Sequence, residues 1–246
     1  MEHLPSGQNP IFIALSIVIA ILASYAALEI LERVKVLSGT TRRNWLIGGA
    51  GIFGFGVWSM HFIGMIGYML PVNVQYNYLV VILSILPIVL AAYFVLDLLA
   101  RPTVNMGQIL LGGVLLGVGV GGMHYGGMFA MQTNNASLSF DPLMFGVSVL
   151  VAVGVSTAGL LTLTSSFLAG SPYKQVVTAI VTGAAIPIMH YVAMGASRFT
   201  PEANQVQLMS APLLPFSNLV LVNVVVVATL LVLSLPALLN FRTAEA

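Results

Sequence analysis

The chain has 246 residues, of which 59% are hydrophobic and only 6% charged, and its mean hydropathy is +1.02. A soluble globular domain carries about 25% charged residues, so this composition excludes a soluble protein. It indicates a polytopic membrane protein. The net charge of +1 gives no indication of direct nucleic-acid binding. Because the chain has no cysteine, disulfides, thiolate zinc sites and iron–sulfur clusters are excluded, and a metal site would need His, Met, carboxylate or backbone ligands.

Seven apolar runs are long enough to cross a bilayer, since a spanning helix needs about 20 residues. The first run is predicted to be a true span and not a cleavable signal, because no Lys or Arg precedes it. The fold class is therefore predicted as an all-α membrane protein with seven transmembrane helices, forming one transmembrane domain over residues 1–246. The predicted spans are 11–32, 45–69, 78–99, 107–131, 142–168, 176–198 and 216–240.

The basic residues are distributed unevenly between the two sides of these spans. Seven of the eight, among them Arg42, Arg101 and Lys174, fall on one side, and only Arg198 falls on the other. Cytoplasmic loops carry the excess of Lys and Arg in membrane proteins. We therefore expect the N-terminus outside, the C-terminus in the cytoplasm, and the even-numbered helices running from inside to outside.

One motif, Met-His-aromatic-x-small-Met, occurs three times in the chain. Its copies begin at Met60, Met123 and Met189, and their histidines are 63 and 66 residues apart. Each interval is the length of one helical hairpin. The predicted architecture is therefore one N-terminal helix followed by three two-helix repeats.

The three histidines are predicted to lie at one depth in the membrane. His61, His124 and His190 each come seven or eight residues before the outer end of a predicted even-numbered helix, or about 10–12 Å below that end. Because an unpartnered imidazole in hydrocarbon is costly, the rings should face the bundle interior. Either each ring hydrogen-bonds a neighbouring helix and holds the bundle together, or the three share a ligand.

Imidazole and thioether together favour copper, especially Cu(I), over hard cations, and the lack of carboxylates at this level disfavours zinc. The second Met of each copy follows its His by four residues and shares its helix face, whereas the first Met is turned about 100° away. Nine side chains exceed what one Cu(I) ion takes, so one or two ions are expected. The candidate ligands are His61, His124, His190, Met60, Met65, Met123, Met128, Met189 and Met194.

Three further polar residues are candidates to support this site. Asn223 lies near the predicted depth of the histidines in the seventh span and could hydrogen-bond an imidazole. Tyr125 and Tyr191 directly follow their histidines and could offer a hydroxyl to a bound gas or water. Helix-to-helix hydrogen bonding or packing is the alternative role for each of them.

The three motifs and their placement in spans two, four and six make the chain resemble the MHYT domain family over nearly its whole length. The sequence differs from the family signature at Phe62, where Tyr is usual, and in lacking the Thr of the motif. The resemblance implies a membrane sensor in the bacterial inner membrane that binds copper and detects a diatomic gas such as O₂, CO or NO. It also implies a cytoplasmic signalling output that makes or degrades cyclic di-GMP.

The leading hypothesis is therefore a copper-containing sensor without catalytic activity. Its partners would be a diatomic gas, membrane lipid and a cytoplasmic signalling domain or protein. A copper transporter or metal carrier is the first alternative, which copper flux into vesicles would reveal. A haem or copper oxidoreductase is the second, and a Soret band would identify haem.

Overall fold

The fold is taken from a computed structural model, which describes residues 3–133, 136–165, 170, 171, 173–201, 215, 216 and 229. Within these residues, six helices are long and apolar enough to cross a membrane. The prediction of an all-helical membrane protein is thus confirmed for six spans. Apart from positions 216 and 229, the predicted seventh span lies outside the described residues, as does Asn223. The orientation and the single-domain assignment stay predictions.

The described helices and strands follow one another along the chain in a regular order. The helices are α1 (Pro10–Val36), α2 (Gly39–Ile66), α3 (Tyr78–Leu83), α4 (Leu86–Leu99), α5 (Met106–Phe129), α6 (Pro142–Thr164) and α7 (Lys174–Met194). The strands are β1 (Gly7–Gln8), β2 (Tyr68–Met69), β3 (Val74–Asn77), β4 (Met131–Thr133), β5 (Ala136–Phe140), β6 (Ser197–Pro201) and β7 (Pro215–Phe216).

The third span is broken into α3 and α4. Pro87 lies in the first turn of α4. A proline has no N–H to donate, and its ring clashes with the carbonyl four residues earlier, which here is that of Leu83. Helix α3 ends at that residue. The span predicted at 78–99 therefore has the expected bounds but contains an interruption.

Short strands replace the outer ends of three predicted spans. All of them pair antiparallel, β1 with β2, β3 with both β4 and β7, and β5 with β6. Beyond these ends, the backbone groups of strand residues form hydrogen bonds with another strand in place of the bonds within a helix. Helices α2, α5 and α7 therefore end at Ile66, Phe129 and Met194. The predicted ends at 69, 131 and 198 are thus too late by two to four residues. Helix α2 also begins earlier than predicted, at Gly39. Its first turns are polar, so the apolar run from which the span was predicted does not include them.

The six spans form a closed ring in the order α1, α2, α3–α4, α5, α6, α7 and back to α1. Helices α2, α5 and α7, which carry the three motifs, also contact one another at the centre of the ring. Glycine allows some of these close approaches: a Cβ atom at Gly117 would lie 2.7 Å from the backbone of Val153 in α6. The arrangement brings the motif-bearing helices together. The strands lie at one end of the bundle, which is also the end nearer to the motifs. We call this the outer end, after the predicted orientation.

Candidate metal centre

The three motif histidines meet at the centre of the bundle. His61 on α2, His124 on α5 and His190 on α7 are fully buried, with 0% exposure. Each pair of Nδ1 atoms is 3.1 Å apart, so the three nitrogens form an equilateral triangle. Each histidine lies only four or five residues before the end of its helix, or about 6–8 Å, because the helices end earlier than predicted.

Mutual hydrogen bonding cannot satisfy this triangle. An imidazole Nδ1 carries either one N–H or one lone pair, directed along a single line in the ring plane, so three of them cannot each bond both others well. A cation at the centre can accept all three lone pairs. The point equidistant from the three nitrogens lies about 1.8 Å from each of them, close to the metal–imidazole distance of about 2.0–2.1 Å. The donor set therefore fits a metal ion.

The Nε2 atoms of His61 and His190 pack against the small residue of another copy of the motif. A Cβ atom at Gly64 would lie 2.6 Å from Nε2 of His190, and one at Gly127 would overlap with Nε2 of His61. Gly64 and Gly127 therefore each make room for the imidazole of a different copy. The Nε2 atoms of all three histidines are buried without a hydrogen-bond partner among the described residues. If the Nδ1 lone pairs faced a shared ion, these Nε2 atoms would carry the ring protons.

The six motif methionines are all buried around the triad. Met60, Met123 and Met128 have no exposed surface, and Met189, Met65 and Met194 have almost none. Met65 lines a cavity at the outer end of the bundle, and Met189 lines a small interior one. The cluster of potential metal ligands among the described His, Asp and Glu residues consists of the three histidines and includes no carboxylate.

The aromatic residue of each copy packs edge-to-face against its own histidine. The ring centroids are 4.8 Å apart for His61 and Phe62, 4.9 Å for His124 and Tyr125, and 4.7 Å for His190 and Tyr191. Such contacts fix the orientation of the imidazoles.

Each tyrosine hydroxyl contacts a serine on an adjacent helix of the ring. Tyr125 Oη is 2.6 Å from Ser148 Oγ on α6, and Tyr191 Oη is 3.0 Å from Ser16 Oγ on α1. The structure thus directs the hydroxyls that we considered for a bound gas or water toward these serines.

These serines belong to a second repeat that the sequence analysis missed. Ser16, Ser84 and Ser148 each donate a 2.7 Å hydrogen bond to the carbonyl three residues earlier, and all three are buried. Each follows the N-cap residue of its span by seven positions, with Asn9, Asn77 and Asp141 as the caps. That spacing, an Asx residue followed by Ser seven positions later, is visible in the sequence and could have identified them. At the first copy Phe62 stands where the other copies have the tyrosine.

The opposite end of the bundle is joined by polar contacts between helices. Arg42 at the start of α2 donates a 2.7 Å hydrogen bond to Asp97 near the end of α4. Gln175 in α7 donates to the carboxylate of Glu29 in α1, also at 2.7 Å. Two of the three helices that carry the triad, α2 and α7, thus begin with side-chain contacts to a neighbouring helix.

Comparison with known proteins gives one family and several signalling relatives. The family model MHYT, described as a bacterial signalling protein N terminal repeat, matches residues 54–112 and 117–171. The chain is 38% identical over 199 residues to the bifunctional diguanylate cyclase/cyclic di-GMP phosphodiesterase MucR of Pseudomonas aeruginosa, an alignment that covers 79% of this chain and 28% of that protein. No solved structure matches the chain.

Two further relatives are similar over a comparable share of the chain. The signaling protein YkoW of Bacillus subtilis is 33% identical over 195 residues, and the cyclic di-GMP phosphodiesterase NbdA of Pseudomonas aeruginosa is 33% identical over 194. These alignments cover 78% and 76% of this chain but 24% of each relative, so the chain spans about a quarter of their length. With its repeated motif, the six apolar helices among its described residues and these relatives, the chain belongs to the MHYT family of bacterial signalling proteins and is a multi-pass protein of the inner membrane.

Proposed function

We propose that this chain is a copper-binding sensor of a diatomic gas, without catalytic activity of its own, that controls a cytoplasmic signalling output. The observation that carries the proposal is the triangle of three buried Nδ1 atoms, each 3.1 Å from the other two. Three lone pairs brought together in the interior of a membrane protein repel one another unless a cation lies between them. The same triangle argues against histidines that only hold the helices together, since one ring nitrogen cannot bond two others well.

The charge of the surroundings favours Cu(I) over a divalent ion. Among the described residues the ligand cluster contains no carboxylate, so three neutral imidazoles would leave the whole charge of the ion uncompensated. A single positive charge costs much less than a double one in a medium of low dielectric constant. The methionines of the motif supply the soft sulfur atoms that Cu(I) prefers.

His61, His124 and His190 would hold the ion, with Met65, Met128 and Met194 as the first candidates for a further ligand because each follows its His by one helical turn. Bound Cu(I) would supply a centre with affinity for O₂, CO or NO. The protein's own contribution is to bury the three imidazoles, fix their orientation through Phe62, Tyr125 and Tyr191, and exclude water from the site.

The signal would pass through α2, α5 and α7, the three helices that carry the histidines. A change in ligation at the triad would shift α2, α5 and α7 relative to one another by a small amount, as subunits and helices do in other switching proteins. At the opposite end such a shift would alter the contacts of Arg42 with Asp97 and of Gln175 with Glu29. Two of the relatives are named for the synthesis or hydrolysis of cyclic di-GMP, so we propose an output of this kind, within a longer chain or in a separate protein.

The test is to load the detergent-purified protein with Cu(I) and titrate it with CO, monitored by infrared spectroscopy. We expect one C–O stretching band that saturates with the copper content and is absent from metal-free protein. Copper-loaded protein that gives no CO, NO or O₂ response would contradict the gas-sensing part. Steady copper flux into vesicles would support the transporter alternative, and a Soret band in the purified protein would support a haem oxidoreductase.

A further inference from the structure

A cavity at the outer end of the bundle lies directly above the first copy of the motif. It has a volume of about 330 Å³ and lies between the end of α2 and the segment that includes β2 and β3. The residues of its lining that matter here are Met65, Tyr68, Met69, Asn73 and Tyr76.

The lining of this cavity includes both exposed residues and a buried one that follows a triad histidine on α2. Met69 is 55% exposed and Asn73 is exposed as well, whereas Met65 is only 2% exposed. Met65 is one helical turn from His61 on α2, so its Cβ atom lies about 6 Å from that of the histidine. The wall of the cavity thus leads from an exposed thioether to a buried one that neighbours the candidate metal centre.

The chemistry of the lining suits a soft cation and not a hard one. None of the described residues that line the cavity is a carboxylate or a basic residue. Burial raises the pKa of Tyr68 and Tyr76, so both phenols stay neutral at physiological pH. Two thioethers and neutral oxygens offer Cu(I) weak, exchangeable ligands, while Mg²⁺ or Ca²⁺ would find no charged oxygen there.

Met69 lines the cavity because α2 ends before it. Had the helix continued to residue 69, as its apolar sequence predicts, Met69 would lie eight positions from His61 within one helix. Instead Gly67 caps the helix and Met69 lies in β2, opposite Gly7 of β1. A Cβ atom at Gly7 would be 3.1 Å from Met69 Cε, so the N-terminal strand packs closely against this side chain.

We propose that this cavity is the route by which Cu(I) enters the site from the outer face, with Met69 as the first thioether contact and Met65 as the second. The inference rests on the proposed copper function and adds the residues that deliver the metal. It makes Met69 important for the rate of loading and unimportant for the final affinity.

The test measures the rate of metal uptake and not signalling. Metal-free protein in detergent is mixed with Cu(I) as its bicinchoninate complex, and loss of the complex's absorbance is followed by stopped flow. We expect Met69→Leu to slow uptake by about five- to tenfold with an unchanged copper content at equilibrium. Met106→Leu is the matched control, because Met106 is also exposed, at 58%, but begins α5 at the opposite end.

A blocking experiment uses the absence of cysteine from the chain. Asn73→Cys places one thiol at the mouth of the cavity, and reaction with a bulky maleimide should slow uptake further than Met69→Leu does. Ser139→Cys, an exposed position in β5 outside the lining, is the control and should load at the wild-type rate after the same treatment.

Wild-type rates in both Met69→Leu and the blocked Asn73→Cys protein, with full copper content, would overturn the entry route and leave the proposed function standing. A wild-type protein that takes up no copper at all would overturn both.

Discussion

The backbone of Gly127 in α5 lies against the Nε2 edge of His61 in α2, so closely that a Cβ atom at position 127 would overlap with that nitrogen. Gly64 in α2 stands in the same relation to His190 in α7. In these two copies the small residue of the motif is therefore a wall for the imidazole of another copy. Because that wall limits where the ring can lie, it also determines where the Nδ1 atom at the opposite corner of the ring is placed.

Enlarging this wall should weaken metal binding. Gly127→Ala must push the His61 ring away from its present position, and overpacking of a buried site costs about 1–3 kcal/mol, which corresponds to about a 5- to 150-fold loss of Cu(I) affinity. The neighbouring Gly126→Ala is the control, since its Cβ would meet Ser84 among the described residues at 3.4 Å or more, which is ordinary van der Waals contact. Competition with a coloured Cu(I) chelator measures both affinities. Equal affinities for the two variants would show that the ring position does not depend on Gly127.

The hydrogen bond between Tyr125 and Ser148 should contribute measurably to stability. It is 2.6 Å long and buried, and it joins α5 to α6. A double-mutant cycle of Tyr125→Phe and Ser148→Ala, followed by denaturant unfolding in detergent, should give a coupling energy of about 1 kcal/mol. Additive effects of the two substitutions would mean that the hydroxyls do not interact. Copper content should persist in the single variants, because neither removes a histidine.

Withdrawal of copper should lower the thermal stability of the protein. An ion that binds only the folded state stabilises it by about 2.7 kcal/mol when its free concentration is 100 times Kd. We therefore expect Tm to rise on addition of Cu(I) and to fall on addition of a Cu(I) chelator. Mg²⁺ serves as the control ion and should leave Tm unchanged. A Tm that is the same with and without Cu(I) would contradict binding to the folded protein.

The predicted orientation can be tested with single cysteines, since the chain has none of its own. Ser139→Cys lies in β5 at the predicted outer end, and Thr103→Cys lies between α4 and α5 at the predicted cytoplasmic end; both positions are exposed. A membrane-impermeant maleimide added to intact cells whose outer membrane has been permeabilised should label only Ser139→Cys. Labelling of Thr103→Cys alone would reverse the orientation and place the triad near the cytoplasm.

Sequence patterns were sufficient to predict the parts of the site that depend on repetition. Three His residues in equivalent positions of three apolar helices had to lie at one depth, and the cost of burying an imidazole in hydrocarbon had to turn them inward. The convergence of His61, His124 and His190 follows from these two facts. The composition likewise required a membrane protein, because 6% of charged residues cannot cover a soluble surface.

Features that depend on local backbone chemistry were harder to predict. Hydropathy does not register the end of a helix inside an apolar run, so the strands that follow Ile66, Phe129 and Met194 were missed. The role of the small motif residue depends on a contact between copies, Gly127 with His61, which spacing within one helix does not reveal. The serine repeat was visible in the sequence as its seven-residue distance from the N-caps, but its tyrosine partners lie on other helices.

The most direct test of the central claim is the copper content of the purified protein, measured by elemental analysis after loading with Cu(I) and removal of excess metal. The wild-type protein is compared with a variant in which His61, His124 and His190 are all replaced by Ala, and with His3→Ala, which removes an exposed histidine at the N-terminal end. Circular dichroism and size-exclusion chromatography establish that each variant is folded. We predict stoichiometric copper, one or two ions per chain, in the wild type and in His3→Ala, and none in the folded triple variant. Equal copper in the triple variant, or no copper in the wild type, would contradict the assignment of the triad as a metal centre.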